Sequence, residues 1–78
     1  MTNKEKYINA FVNAFDANEA DVEGAVYQEL TNWDSVGHMS LIAELEDAFD
    51  IMMDTDDIID LSSYEKGIEI LKKYNIEV

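Results

Sequence analysis

The 78-residue sequence contains no cysteine, no proline and no arginine. Without cysteine no disulfide can brace the fold, which fits a reducing compartment. The chain also brings no thiol of its own to any chemistry. Positive charge is scarce: five lysines stand against 18 acidic residues, for a net charge of -13. The lysines lie towards the ends, at Lys4, Lys6, Lys66, Lys72 and Lys73, and none falls between Tyr7 and Glu65. Such a surface repels polyanions, so no nucleic-acid partner is expected. Partners should instead be basic, or dock on a small apolar patch rimmed by acids. No apolar run approaches the ~20 residues that span a bilayer, so no membrane insertion is expected. The charged start, residues 1–6, is not followed by the apolar segment of a signal peptide. A soluble, cytoplasmic monomer is the expectation.

Hydrophobic residues make up 47% of the chain, enough for one core. A chain this short buries only ~60% of its unfolded surface, so a single domain over 1–78 is expected, with a thin core. The spacing of Ile8, Phe11, Val12 and Phe15 predicts a helix over 4–15. Tyr7 flanks that stripe, and Thr2 or Asn3 caps the start. Residues 16–34 are acidic and small, punctuated by Val22, Val26, Tyr27, Leu30 and Trp33. A loop this long must be anchored or functional, and these five are its expected anchors. A helical turn over 19–27 is weakened by Gly24.

Asp34 and Ser35 then supply cap-type residues for a central helix over 36–50. Val36, Met39, Ile42 and Ala43 form one apolar line on it, and Leu41, Leu45, Ala48 and Phe49 a second. A short helix over 56–61, capped by Asp54 or Thr55, carries Ile58, Ile59 and Leu61. Ser62 and Glu65 read as a capping box for the last helix. That helix turns Tyr64, Ile68 and Leu71 inward and ends on Lys72 and Lys73, where cations suit the helix dipole. No segment alternates as a strand. The fold class expected is therefore all-α: a small four-helix bundle of three main helices and a short third helix, with a long loop after the first.

Chemistry concentrates at the start of the central helix. First-turn amides lack intrahelical partners, and the helix dipole favours negative charge there. A phosphate ester on Ser35 would sit in that field, and Gly37 is expected to leave its approach uncrowded. Taken alone, Asp34-Ser35 is an ordinary cap.

The run Leu30-Thr31-Asn32-Trp33-Asp34-Ser35-Val36-Gly37-His38-Met39-Ser40-Leu41, continuing through Ile42 to the acidic Glu44, Glu46 and Asp47 and on to Phe49, Asp50 and Ile51, closely resembles the acyl carrier protein signature. Val36 stands in place of the usual Leu. The resemblance extends over nearly the whole chain. It implies that a phosphopantetheinyl transferase attaches 4'-phosphopantetheine to Ser35, flanked by Asp34. The thiol of that arm would then hold acyl groups as thioesters. The protein would be a substrate and shuttle, not an enzyme, serving acyl-loading and acyl-transfer enzymes with basic docking patches. Fatty-acid, polyketide-like and polysaccharide-modifying pathways are all open.

The resemblance further implies docking through Asp34, Val36, Met39, Glu46, Asp47, Asp50, Asp54 and Asp56. Ser40 replaces an acid common in fatty-acid carriers, and Asp54 a proline. It also implies an acyl pocket between Leu45, Met53, Ile58, Leu61 and Ile68, although these residues read more readily as core, since Tyr64 and Phe49 leave little room for a long chain. A peptidyl or aminoacyl carrier and an unmodified acidic interaction module are the alternatives.

Other constellations fall away. Asp34, Ser35 and His38 crowd one helical turn, whereas a hydrolase triad needs converging geometry and an oxyanion site. His38 is expected to be solvated or bonded to Asp34. The acids from Asp54 to Asp57 do not make an EF-hand, since its fifth and sixth positions would be Ile58 and Ile59. Trp33 is expected to pin the loop rather than face a partner.

Overall fold

The computed structural model describes residues 2–30 and 32–78; Met1 and Thr31, the latter within the motif run, lie outside the described residues. The chain is all-α. Among the described residues the helices are α1 (Asn3–Phe15), α2 (Glu19–Val22), α3 (Ser35–Phe49), α4 (Thr55–Asp60) and α5 (Tyr64–Lys72). This is one element more than the four expected, because the turn after residue 18 closes as a short helix. It stops at Val22, well before Tyr27. From there the backbone pairs elsewhere: Tyr64 N–H donates to Ala25 O at 3.0 Å and Tyr27 N–H to Ser62 O at 2.8 Å. These bonds form an isolated antiparallel bridge between Val26 and Ser63.

Thr2, not Asn3, caps α1. Its Oγ1 accepts from Glu5 N–H at 3.1 Å, and Glu5 Oε1 accepts from Thr2 N–H at 3.1 Å, the reciprocal pair of a capping box. The helix therefore starts one residue earlier than the apolar spacing indicated. It ends at Asp16, whose φ of 54° is left-handed.

Tyr7 does not flank the buried stripe but lies at its centre, fully buried. Its hydroxyl donates to Tyr64 O at 2.6 Å, so the polar tip can be taken inside with the ring. The stripe is thereby rotated: Ala10, Phe11 and Phe15 are buried, whereas Ile8 and Val12 are only half-buried.

Around Phe11 the rings of Tyr7, Phe15, Trp33 and Tyr64 pack with centroids 5.0 to 5.9 Å away. Trp33 thus anchors the first loop. Val22 and Ala25 are buried beside it and Tyr27 and Leu30 half-buried, but Val26 anchors only through its backbone, its side chain being exposed.

Only part of the apolar surface of α3 is buried. Leu41, Ile42 and Leu45 enter the core, while Val36, Met39 and Ala43 are exposed. The cap of α5 is Ser63 rather than Ser62: Ser63 Oγ accepts from Lys66 N–H at 3.0 Å. Ser62 is displaced from that role because its carbonyl is drawn into the bridge with Tyr27. Of the residues expected to point inward on α5, Tyr64 and Leu71 do, joined by Ile70, while Ile68 is half-buried.

At the far end, Asp57 is a buried carboxylate that hydropathy did not mark. It pairs with Lys73 Nζ at 2.9 Å and accepts from Tyr74 Oη at 2.7 Å. Tyr74 Oη in turn accepts from Asp54 N–H at 2.9 Å. Lys73 therefore ties α4 to the end of α5, beyond any effect on the helix dipole. The Tyr74 hydroxyl, and then Lys73, hold the Asp57 carboxyl below its ordinary value.

Candidate functional site

Asp34 ends the first loop as the cap of α3, its Oδ1 accepting from Gly37 N–H at 2.9 Å. The helical ladder opens with His38 N–H donating to Asp34 O at 2.7 Å. Ser35 is thus the first helical residue, one position earlier than the predicted start, and it is exposed. The Ser35 and Val36 amides precede the ladder and face the end where an anion is favoured. Gly37 does not clear an approach to Ser35; it is buried. A Cβ there would overlap Asn32 O and lie 3.0 Å from Phe15 Cε1. Glycine lets the loop backbone cross directly over the first turn of α3.

That crossing is itself held in place. Asn32 adopts a left-handed φ of 73°, a conformation asparagine tolerates, and its Nδ2 donates to Phe15 O at 2.9 Å. Gln28 N–H donates to Trp33 O at 3.0 Å. The long loop is therefore a built platform for the start of α3.

His38 is neither solvated nor bonded through its ring to Asp34. Trp33 Nε1 donates to its Nδ1 at 3.0 Å. An indole N–H can only donate, so Nδ1 is the acceptor. The proton then sits on Nε2, which meets Ile58 O at 2.7 Å. Both ring nitrogens are spent, and the Asp34 carboxylate caps the helix. No triad geometry exists at Ser35. The imidazole instead pins α4 to α3 and to the loop.

Beside Ser35 runs a groove between α3 and α4 of about 400 Å³. Ser35, His38 and Met39 form the α3 wall. Ile58 and Ile59, followed by Leu61, form the opposite wall, and Tyr27 and Ser62 complete the lining. The only expected pocket residues on it are Ile58 and Leu61. Leu45 and Met53 are buried in the core, and Ile68 packs against that core. Three of the five thus take the core reading, and only Ile58 and Leu61 also line the groove.

His38, Met39 and Ser35 share a helix face at three- and four-residue spacing. That spacing was the sequence signal for the α3 wall. Ile59, Tyr27 and Ser62 carried no comparable signal.

The apolar surface next to the groove is open: Val36, Met39 and Ile59 are 78%, 55% and 72% exposed. Of the acids expected to dock partners, Asp34, Asp47, Asp50, Asp54 and Asp56 are exposed. Glu46 is partly withdrawn, its Oε2 accepting from Met53 N–H at 2.9 Å. Among the described residues, no group of three or more histidine, cysteine or acidic side chains is placed to hold a metal ion. No helix among them is long and apolar enough to cross a membrane.

The first helical residue of α3 offers a hydroxyl in solvent, first-turn amides outside the ladder, and an adjoining groove with apolar walls. Comparison with protein-family models, curated proteins and solved structures finds no match to this chain.

Proposed function

We propose that this chain is an acyl carrier domain bearing 4'-phosphopantetheine on Ser35. One observation supports the reading above the others: the only serine at the start of the central helix is exposed, capped by Asp34, and lies on the rim of an apolar groove. In the loading step Ser35 Oγ forms a new bond to the phosphorus of coenzyme A that bears the pantetheine. The bond from that phosphorus to the bridging oxygen of the diphosphate breaks, 3',5'-adenosine bisphosphate leaves with that oxygen, and the hydroxyl proton passes to a base of the transferase. When bound, the arm supplies the thiol that this cysteine-free chain lacks.

The chain's own residues present that arm. Asp34 and the loop platform fix the position of Ser35. Exposed Val36, Met39 and Ile59 offer an apolar contact, and the surrounding acids steer a basic enzyme surface towards it. The protein acts as carrier and substrate in this reading, with catalysis left to its partners.

The test is intact mass spectrometry after incubation with coenzyme A, Mg2+ and a broad-specificity phosphopantetheinyl transferase. One added phosphopantetheinyl unit on the natural chain and none on Ser35→Ala is the expected result. No gain with several transferases would favour an unmodified acidic interaction module.

A further inference from the structure

If Ser35 bears an arm, as proposed above, the fold restricts where the far end of that arm can rest. The interior is closed to it. Leu41, Leu45, Leu61 and Leu71 are fully or almost fully buried. At Gly67 a single added Cβ would overlap Tyr7 Oη and lie 2.7 Å from Leu61 Cδ1 and 3.0 Å from Tyr7 Cζ. Tyr7 is held there by its hydrogen bond to Tyr64 O and by the Tyr64 ring, 4.9 Å away between centroids. Where one methyl finds no space, a hydrocarbon chain can enter only by displacing packed rings, and cores filled to this density do not deform smoothly.

The outside is different. The α3–α4 groove begins at Ser35 itself. None of its lining side chains is an acid or a lysine, and Met39, Ile58 and Ile59 give it apolar walls. His38 on its α3 wall bonds through Nε2 to Ile58 O on its α4 wall, and Trp33 holds the imidazole from behind. At about 400 Å³ it lies near the small end of the ~300–1,000 Å³ range of ligand pockets. The arm and a few carbons would fill that space, and each further methylene would stay in water, where its exposure is unfavourable.

We propose that the group tethered to Ser35 lies in this surface groove with its acyl end outside the bundle, so that the cargo is a short acyl group. The absence of cysteine allows a test that needs no transferase. Ser35→Cys creates a single thiol, which displaces iodide from iodoacetamides whose diamide linker matches pantetheine in length and ends in a butyl or a dodecyl chain. Both adducts are compared with the unlabelled chain by NMR and by thermal unfolding.

The expected result is that both adducts shift resonances of Tyr27, His38, Met39 and Ile59 and leave the methyls of Leu45 and Leu71 in place. The dodecyl adduct should melt no higher than the butyl one. Shifted Leu45 and Leu71 methyls, or a melting temperature that climbs with chain length, would overturn the proposal by placing the chain inside. Unmoved groove resonances would overturn it by leaving the groove empty. Whether a transferase modifies Ser35 is read separately by mass, so failure of the carrier reading is distinguishable from failure of the groove.

Discussion

The contact between Tyr7 and Gly67 allows a quantitative test of how tightly the interior is closed. Replacing Gly67 by Ala in the middle of α5 should gain about 1 kcal/mol of helix propensity. Against that, the new Cβ collides with Tyr7 Oη and crowds Leu61 Cδ1, and overpacking of this kind costs roughly 1–3 kcal/mol. The net expectation is a loss of up to about 2 kcal/mol from those two terms. Tyr7→Phe removes the 2.6 Å bond to Tyr64 O, a loss of about 0.5–1.5 kcal/mol, but it also removes the atom that the Gly67→Ala methyl strikes. The remaining close neighbours are the Leu61 methyl, which can rotate, and a ring carbon at 3.0 Å. The double variant should therefore be more stable than the sum of the singles indicates, by about 1 kcal/mol, within the ~0.5–3 kcal/mol found for coupled contacts. Urea and thermal unfolding followed by circular dichroism read this directly, because a domain of this size shifts its melting temperature by about 4–8 °C per kcal/mol. Losses that add to within ~0.5 kcal/mol would show that the methyl and the hydroxyl do not compete for one space. The interior would then have room at Gly67 and would not be closed.

Further consequences can be checked on the same protein. His38→Leu leaves the buried Trp33 indole N–H and the Ile58 carbonyl without partners; a loss of roughly 1–3 kcal/mol and faster amide exchange in α4 are expected, and unchanged exchange would contradict the clamp. The Asp57 carboxyl is held below its ordinary value, so its contribution to stability is complete above the ordinary carboxylate pKa of about 4. That contribution fades as pH falls through the folded value. The melting-temperature gap between the natural chain and Asp57→Asn should shrink on acidification below about pH 4, and a gap constant with pH would refute the pairing. The net charge of -13 destabilises the compact state by self-repulsion, so added salt or divalent cations should raise the melting temperature, whereas a flat response would contradict this.

Local signals in the sequence proved sufficient wherever a residue acts on its own neighbours. Asp34 before an apolar helical run announces a cap, and it caps α3. Trp33 among small polar residues announces an anchor, and it is buried against Phe11 and Phe15. What escaped was decided by contacts distant in the chain. Ser62, three residues before Glu65, reads as the cap of α5, but the Val26 bridge engages its carbonyl and Ser63 takes the role. Tyr7 and Gly67 lie 60 residues apart, and neither reveals alone that one is shaped to the other. Asp57 is one acid in a run of four polar residues, 54–57, and only the return of Lys73 and Tyr74 explains its burial. His38 looked like a surface side chain because its partners come from the loop and from α4. The groove follows from that clamp, so its α4 wall could not be read from periodicity.

The most direct test of the Ser35 assignment counts thiols. The unmodified chain has none, so a thiol-reactive chromophore should give no signal before treatment with transferase and coenzyme A. A single reactive thiol per chain after treatment and removal of free coenzyme A, abolished in Ser35→Ala, is the predicted result. A treated chain that stays silent, or a thiol that persists when Ser35 is replaced, would contradict the account.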